Sequence, residues 1–212
     1  MKPNRHGTAP SADKPIALRF YGTDREMAAG IKSGHPGAME ALFDRYGSHV
    51  ERIVNRLLGM DSEFSDVVHD IFVAAYTNIR SLKDDAAIKG WITSLAVFTV
   101  RQRIRKRARR RVHWVYDADI SEAQSHSPTP SDRELLQVTY RVLDEMNADE
   151  RITFSLRFIE GMEITEVASA CGVSPSTVKR RQRRAEQKFL TLARKFPGLL
   201  EQIERGDRWR TQ

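Results

Sequence analysis

The sequence predicts an all-α protein of two small helical domains joined by a flexible linker, the C-terminal one a helix-turn-helix. Three observations lead there. From Asp24 onward, segment after segment carries apolar residues at three- and four-residue intervals, the spacing of one helix face. The stretch from Tyr116 to Ser131, YDADISEAQSHSPTPS, has no such period and holds two closely spaced prolines, as a linker does. Finally, Ile164 to Leu190, ITEVASACGVSPSTVKRRQRRAEQKFL, reads as a helix, a glycine turn and an arginine-rich second helix.

In chain order, residues 1–23 hold Pro3, Pro10 and Pro15 among small polar residues and are expected to form a flexible leader. The first domain, 24–116, opens with DREMAAGIKSG, which Gly34 ends before the break at Pro36-Gly37. In the next helix Leu42, Tyr46, His49, Val50, Ile53 and Leu57 form an apolar stripe. Asp61 or Ser62 is expected to cap a third helix that buries Val68, Ile71, Phe72, Ala75 and Ile79 and leaves Asp66, Asp70 and Thr77 opposite. Those acids suit either an ordinary solvated face or a docked partner.

The segment IKGWITSLAVFTVRQRIRKRARRRVHWV changes character half way along. Ile88, Trp91, Ile92 and Leu95 are spaced as a core face, and then Arg101, Arg103, Arg105, Lys106, Arg107, Arg109, Arg110 and Arg111 make a cationic end. Such a density of cations attracts phosphate oxygens and releases counterions on binding. Trp91, Phe98, His113 and Trp114 lie among or beside them, where an aromatic ring serves either the core or an unpaired base.

After the linker, 117–131, the second domain, 132–195, opens with RELLQVTYRVLDEM. Asn147 or Asp149 caps a helix with Ile152, Leu156 and Ile159 in period, and Gly161 ends it. In the helix-turn-helix, Ile164, Val167 and Ala168 point inward and Gly172 supplies the turn. Ser174 followed by Pro175 starts the second helix, the serine as N-cap and the proline where no N–H partner is needed. At 100° per residue Val178, Ala185, Phe189 and Leu192 share one stripe, and Ser176, Arg180, Arg183, Arg184 and Gln187 share the opposite one. The plain reading is a helical hairpin with a solvated basic face; the functional one is a DNA reader. A tail, 196–212, breaks at Pro197-Gly198 and has room for one short helix.

Composition bounds the function. With 212 residues, a formal net charge of +7 and a pI near 9.7, the chain favours a polyanionic partner, nucleic acid first. It holds neither a run of about 18 apolar residues nor an apolar signal core near its N-terminus, so a cytoplasmic protein without membrane insertion is expected. The single cysteine, Cys171, excludes an internal disulfide and reads as packing. The six histidines lack zinc spacing, no cofactor signature is present, and no nucleophile or carboxylate cluster stands in a catalytic arrangement. Neither a metal nor an enzyme is indicated.

The ordered combination of these segments resembles a bacterial extracytoplasmic-function (ECF) RNA polymerase sigma factor of the sigma-70 family, from about Asp24 to Leu192. AMEALFDRYGSHVERIVNRLLG resembles the family's first conserved region, and DVVHDIFVAAYTNI its acidic motif, here Asp66, His69-Asp70 and Phe72. GWITSLA resembles the tryptophan segment leading into promoter recognition, and RFIEGMEITEVASACGVSPSTVKRRQRRAEQKF the closing helix-turn-helix. The resemblance implies a protein that binds the clamp helices of the β′ subunit of core RNA polymerase and promoter DNA, opening the −10 element and reading the −35 element. An anti-sigma factor would be a further partner. Carried over residue by residue, Asp66, His69 and Asp70 face the polymerase. Trp91, Arg101, Arg105, Lys106 and Arg109 serve the −10 region, with the loop Lys83 to Gly90 beside the exposed strand. Ser174, Ser176, Thr177, Lys179, Arg180, Arg183 and Arg184 enter or flank the −35 major groove, which admits a helix. One departure stands out: the family often has asparagine and aspartate where this chain has Phe98 and Gln102, which implies either an altered −10 preference or weak melting. The competing reading is a freestanding helix-turn-helix regulator that binds duplex DNA without polymerase.

Overall fold

The computed structural model describes Phe20 and residues 22–59, 61–114 and 132–205. The predicted linker, most of the predicted leader and the end of the tail lie outside the described residues. Nine helices are present among the described residues, in the order α1 Asp24–Ser33, α2 Ala38–Leu58, α3 Phe64–Asn78, α4 Ile88–Trp114, α5 Asp132–Asp144, α6 Ala148–Phe154, α7 Ile164–Cys171, α8 Pro175–Ala193 and α9 Pro197–Arg205.

In the N-terminal part, Thr23 and Glu26 exchange side-chain and backbone bonds at the start of α1, so two otherwise orphaned N–H groups are satisfied reciprocally. Asp24 then accepts from Tyr46 Oη at 2.6 Å and from Arg45 at 2.6 Å, which fixes α1 on α2. Burial first, and then this carboxylate, push the Tyr46 hydroxyl up to about 12. Along α2, Leu42, Val50, Ile53 and Leu57 are buried, as their period predicts. His49 departs from that stripe: it is half-buried and its Nε2 pairs with Thr93 Oγ1 of α4 at 2.8 Å. On α3, Val67, Val68, Ile71, Phe72 and Ala75 face inward. The cap of α3 is indirect, since Asp61 Oδ1 accepts from the Glu63 N–H at 2.8 Å just ahead of the helix. The half-way change of character in the next segment does not interrupt it, and α4 runs as one helix.

In the C-terminal part, the Asn147 side chain caps α6 by accepting from the Glu150 N–H at 2.9 Å. α6 continues without a break into a wider π turn, Ser155–Ile159. A core of Val142, Leu143, Met146, Phe154, Ala185, Phe189 and Leu192 joins α5, α6 and α8, and the Phe154 and Phe189 rings stack at 4.3 Å. The tail helix α9 closes on it through Leu199.

The two parts are docked. Ala148, Ile152 and Leu156 of α6 with its π turn, Val167, Ala168, Ala170 and Cys171 of α7, and Val178 of α8 belong to the same buried cluster as Ile88, Ile92, Val97 and Val100 of α4. Polar groups seal the seam. Arg151, 4% exposed, donates to Leu57 O and Leu58 O at the end of α2 and pairs with Asp144. A cation there satisfies carbonyls that have no partner inside their own helix. Tyr140 Oη donates to Asn55 O at 3.0 Å, and its ring lies against Gly59, where any Cβ would come within 2.6 Å of it. Gly59 also has φ 75°, so glycine is required there twice over.

Candidate nucleic-acid interface

The helix-turn-helix is formed by α7, Gly172 and α8. Gly172 adopts φ 65° and ψ 39°, and its N–H and that of Val173 reach back to Ser169 O and Ala168 O, closing α7. Cys171 is buried at this end, and burial pushes its thiol up, in keeping with a packing role. Ser174 Oγ accepts from the Thr177 N–H at 3.2 Å, and Pro175 occupies the first helical position. The start of α8 is therefore built by the residues that also line its exposed tip. Val178, Ala185, Phe189 and Leu192 are buried, whereas Ser176, Lys179, Arg180, Arg183, Arg184 and Gln187 are exposed along the opposite side. Thr177 is half-buried. Gln182, 7% exposed with its Nε2 bonded to Glu186 at 3.1 Å, lies on the Val178 and Phe189 stripe by the 100° advance, so its period places it inside although its polar type argues for the surface.

The cationic end of α4 does not behave as one surface. Arg103 and Arg107 turn toward the start of α3: Arg103 meets Glu63 at 3.3 Å and Asp70 at 3.8 Å, and Arg107 forks onto both Asp61 and Glu63. The Arg107 guanidinium holds both carboxyls below the usual carboxylate range. On another side, Arg101 and Arg105 reach Asp149 of α6 at 3.2 and 3.1 Å. Gln102, Lys106 and Arg109 are exposed along with Phe98, which is 55% accessible, and the Arg105 side chain stays 51% exposed despite its ion pair. Trp91 is half-buried against the core, and at 100° per residue it lies on the same side of α4 as Phe98, Gln102 and Arg109. The side chains of Arg110, Arg111, His113 and Trp114 lie outside the described set.

The loop ahead of α4 has the exposed residues Lys83, Asp84, Ala86 and Ala87 at its rim. Lys32 of α1 anchors it by donating to Leu82 O at 2.9 Å and pairing with Asp85. On α3 the acids Asp66 and Asp70 and the intervening His69 are all exposed. Nearby apolar residues are exposed too, with Val73 49% and Tyr76 60% accessible. This is an acidic and apolar face on a basic protein, with a chemistry opposite to that of α8. Among the described residues, no three potential metal-binding side chains cluster and no helix is long and apolar enough to cross a membrane.

Sequence reasoning missed Asp149 and Arg151 as residues that join the two parts, and Arg181 of α8 as a second-side partner of Asp149. Asp149 was a capping candidate by type and position, but Asn147 takes that role and leaves the Asp149 carboxylate for arginines of α4 and α8. Nothing in a local pattern marks such a pairing.

Residues 42–110 match the family model described as sigma-70 region 2, and residues 136–189 match that of sigma-70 region 4. Among curated proteins, the ECF RNA polymerase sigma-E factor of Escherichia coli (strain K12) is 26% identical over 177 residues, spanning 78% of this chain and 91% of the relative. The sigma-E factor of Haemophilus influenzae is 24% identical over 175 residues, spanning 78% and 92%. Among solved structures, CnrH in complex with the cytosolic domain of CnrY has the same fold at TM-score 0.55 and 24% identity, over 82% of this chain and 98% of that one. RpoE in complex with the anti-sigma factor NepR from Bartonella quintana does so at TM-score 0.52 and 20% identity, over 73% and 96%.

Proposed function

This chain belongs to the sigma-70 family, in its extracytoplasmic-function group, and from that premise we propose how its surfaces share the work of initiation. As a sigma factor it binds core RNA polymerase and directs promoter recognition and transcription initiation. The observation that carries this reading is the ordered pair of family regions on one chain, with an exposed arginine face on the second. Its role is that of a specificity subunit acting in the cytoplasm, and RNA synthesis itself belongs to the polymerase.

In our reading α8 enters the −35 major groove with Ser176, Lys179, Arg180, Arg183 and Arg184, flanked by Ser174 and Thr177. The stripe of Trp91, Lys106 and Arg109 on α4, joined by Arg101 and Arg105, holds the −10 region. Exposed Phe98 and Gln102 on that stripe support an altered −10 preference, because a ring offers an unpaired base a stacking face and no hydrogen bond. Asp66, His69 and Asp70 face the polymerase, where exposed acids on a basic protein suit a basic partner surface. Because CnrH and RpoE were solved with protein partners, one of them an anti-sigma factor, restraint by an anti-sigma factor is the expected regulation.

Run-off transcription with purified core polymerase on a promoter library is the direct test. A freestanding regulator would bind a specific duplex tightly alone and initiate at none of the promoters. Within the sigma reading, an alanine at Arg180 or Arg183 that removes a base contact costs about 1–3 kcal/mol and relaxes sequence choice at one position. Uniform weakening across sequences would instead mark a phosphate contact. Reversing Asp66 and Asp70 to lysine is expected to raise the dissociation constant for core polymerase about tenfold or more while leaving the circular dichroism unchanged. Unaltered affinity would remove both residues from the interface.

A further inference from the structure

We propose that the docked arrangement is a self-occluded state in which the carboxylate of Asp149 occupies a phosphate site of the protein's own −10 surface. The DNA role of that site rests on the reading above; the docking itself does not. Asp149 lies in the first turn of α6 and meets arginines from both parts of the chain: Arg101 Nε at 3.2 Å, Arg105 at 3.1 Å and Arg181 of α8 at 3.5 Å. Arg101 also donates to Cys171 O at 3.5 Å, at the end of α7. Arg101 and Arg105 of α4 close on this carboxylate as they would on a backbone phosphate, while Arg181 belongs to the same part as Asp149 and holds it from behind. Here the anion comes from the partner domain.

Two features make the site competent to exchange that anion for DNA. It is under-neutralised, since one carboxylate faces three cations. It is also imperfectly satisfied: Arg101 Nε and Asp149 Oδ1 are both buried and neither makes a hydrogen bond, although they lie 3.2 Å apart. A buried ion pair with unmet hydrogen bonds returns little net stability. Docking is then sustained by the apolar residues Ile152, Leu156, Val167 and Ala168, which share one buried cluster with residues of α2 and α4, by Arg151 on the end of α2, and by Glu160, which meets Arg52 at 2.9 Å and Arg56 at 3.6 Å. The consequence is unequal for the two DNA surfaces. Arg180, Arg183 and Arg184 stay exposed, so the face of α8 is available, while Arg101 is covered, its side chain 16% exposed, and Arg105, 51% exposed, is tied to the same carboxylate. Polymerase and promoter would free the second surface by separating the parts.

The test uses full-length protein with Ser94→Cys and Ser169→Cys in a Cys171→Ala background. Ser94 Oγ lies 3.5 Å from Ser169 O across the α4–α7 seam. A short bismaleimide with a reducible disulfide in its spacer is expected to link the two positions within one molecule, as read by mass spectrometry. Failure to link them would overturn the docked state. Linked protein should bind a fluorescein-labelled single-stranded oligonucleotide of random sequence about tenfold more weakly than the same protein after reduction, since two phosphate-binding arginines are withheld. It should also fail in run-off transcription until reduced. Asp149→Asn is expected to slow the linking and to raise oligonucleotide affinity in the unlinked chain. Equal binding by linked and reduced protein would overturn the occlusion and leave the sigma reading intact. Reduced protein that binds the oligonucleotide but initiates at no promoter would count against the sigma reading instead.

Discussion

Replacing Phe189 with alanine is expected to lower the stability of the C-terminal part by about 3–5 kcal/mol, the usual range for emptying an aromatic site in a closed core. The residue is 2% exposed, stacks on Phe154, and sits on the same helix as Arg180, Arg183 and Arg184. Its removal leaves a void on the side of α8 that faces away from the arginines. Duplex binding should therefore fail through loss of the folded helix, with the thermal transition falling before affinity is lost. Phe189→Leu, which refills most of the volume, should restore both. If Phe189→Ala lost affinity at an unchanged transition temperature, the packing account would be wrong.

Arg107→Gln carries the second large effect, about 2–4 kcal/mol, because one fork of charge-assisted bonds to two carboxylates disappears. The side chain of Asp61 is 6% exposed and cannot turn to water for replacement, whereas Glu63 and Arg107 are each 35% exposed and contribute less. The pH dependence has a definite sign. Both carboxyls are held below their ordinary values in the folded chain, so their contribution is present above the unfolded carboxylate pKa, near 4, and is lost as pH falls through the folded values. Stability of the native chain should decline on acidification below about pH 4 more steeply than that of Arg107→Gln, in which the depression has been removed. Parallel declines in a urea titration at several acid pH values would show that Arg107 does not hold these groups.

Much of the all-α fold was legible because it rests on repetition. The period that placed Val178, Ala185, Phe189 and Leu192 on one side of α8 follows from helix geometry, and the four are buried. Turn chemistry was equally local: Gly172 and Ser174-Pro175 bound the turn where residue type demands. The docking of the two parts was not legible. Ile152 and Leu156 carry the same apolar signal whether they face their own domain or another, and a polar linker in the sequence favoured separation. The division of the α4 arginines was hidden for a related reason. Arg101, Arg103, Arg105 and Arg107 look alike in sequence, and what separates them is the partner each finds across a long gap, Asp149 for two of them and Glu63 for the others. Long-range polar partnerships have no period to read.

α4 is a single rod with three tenants. One side, with Ile92, Val100 and Ile104, completes the N-terminal core and, toward the C-terminal end, sends Arg103 and Arg107 to α3; the opposite side presents Phe98, Gln102 and Arg109 outward beside the arginines that Asp149 takes. Since each residue advances the helix by about 100°, inserting or deleting one residue near Phe98 would rotate every downstream side chain into another tenant's place. Buried isoleucines would meet water and arginines would meet the core together. Length along this helix is thus as tightly specified as composition, and α4 tolerates substitutions far better than a change of count.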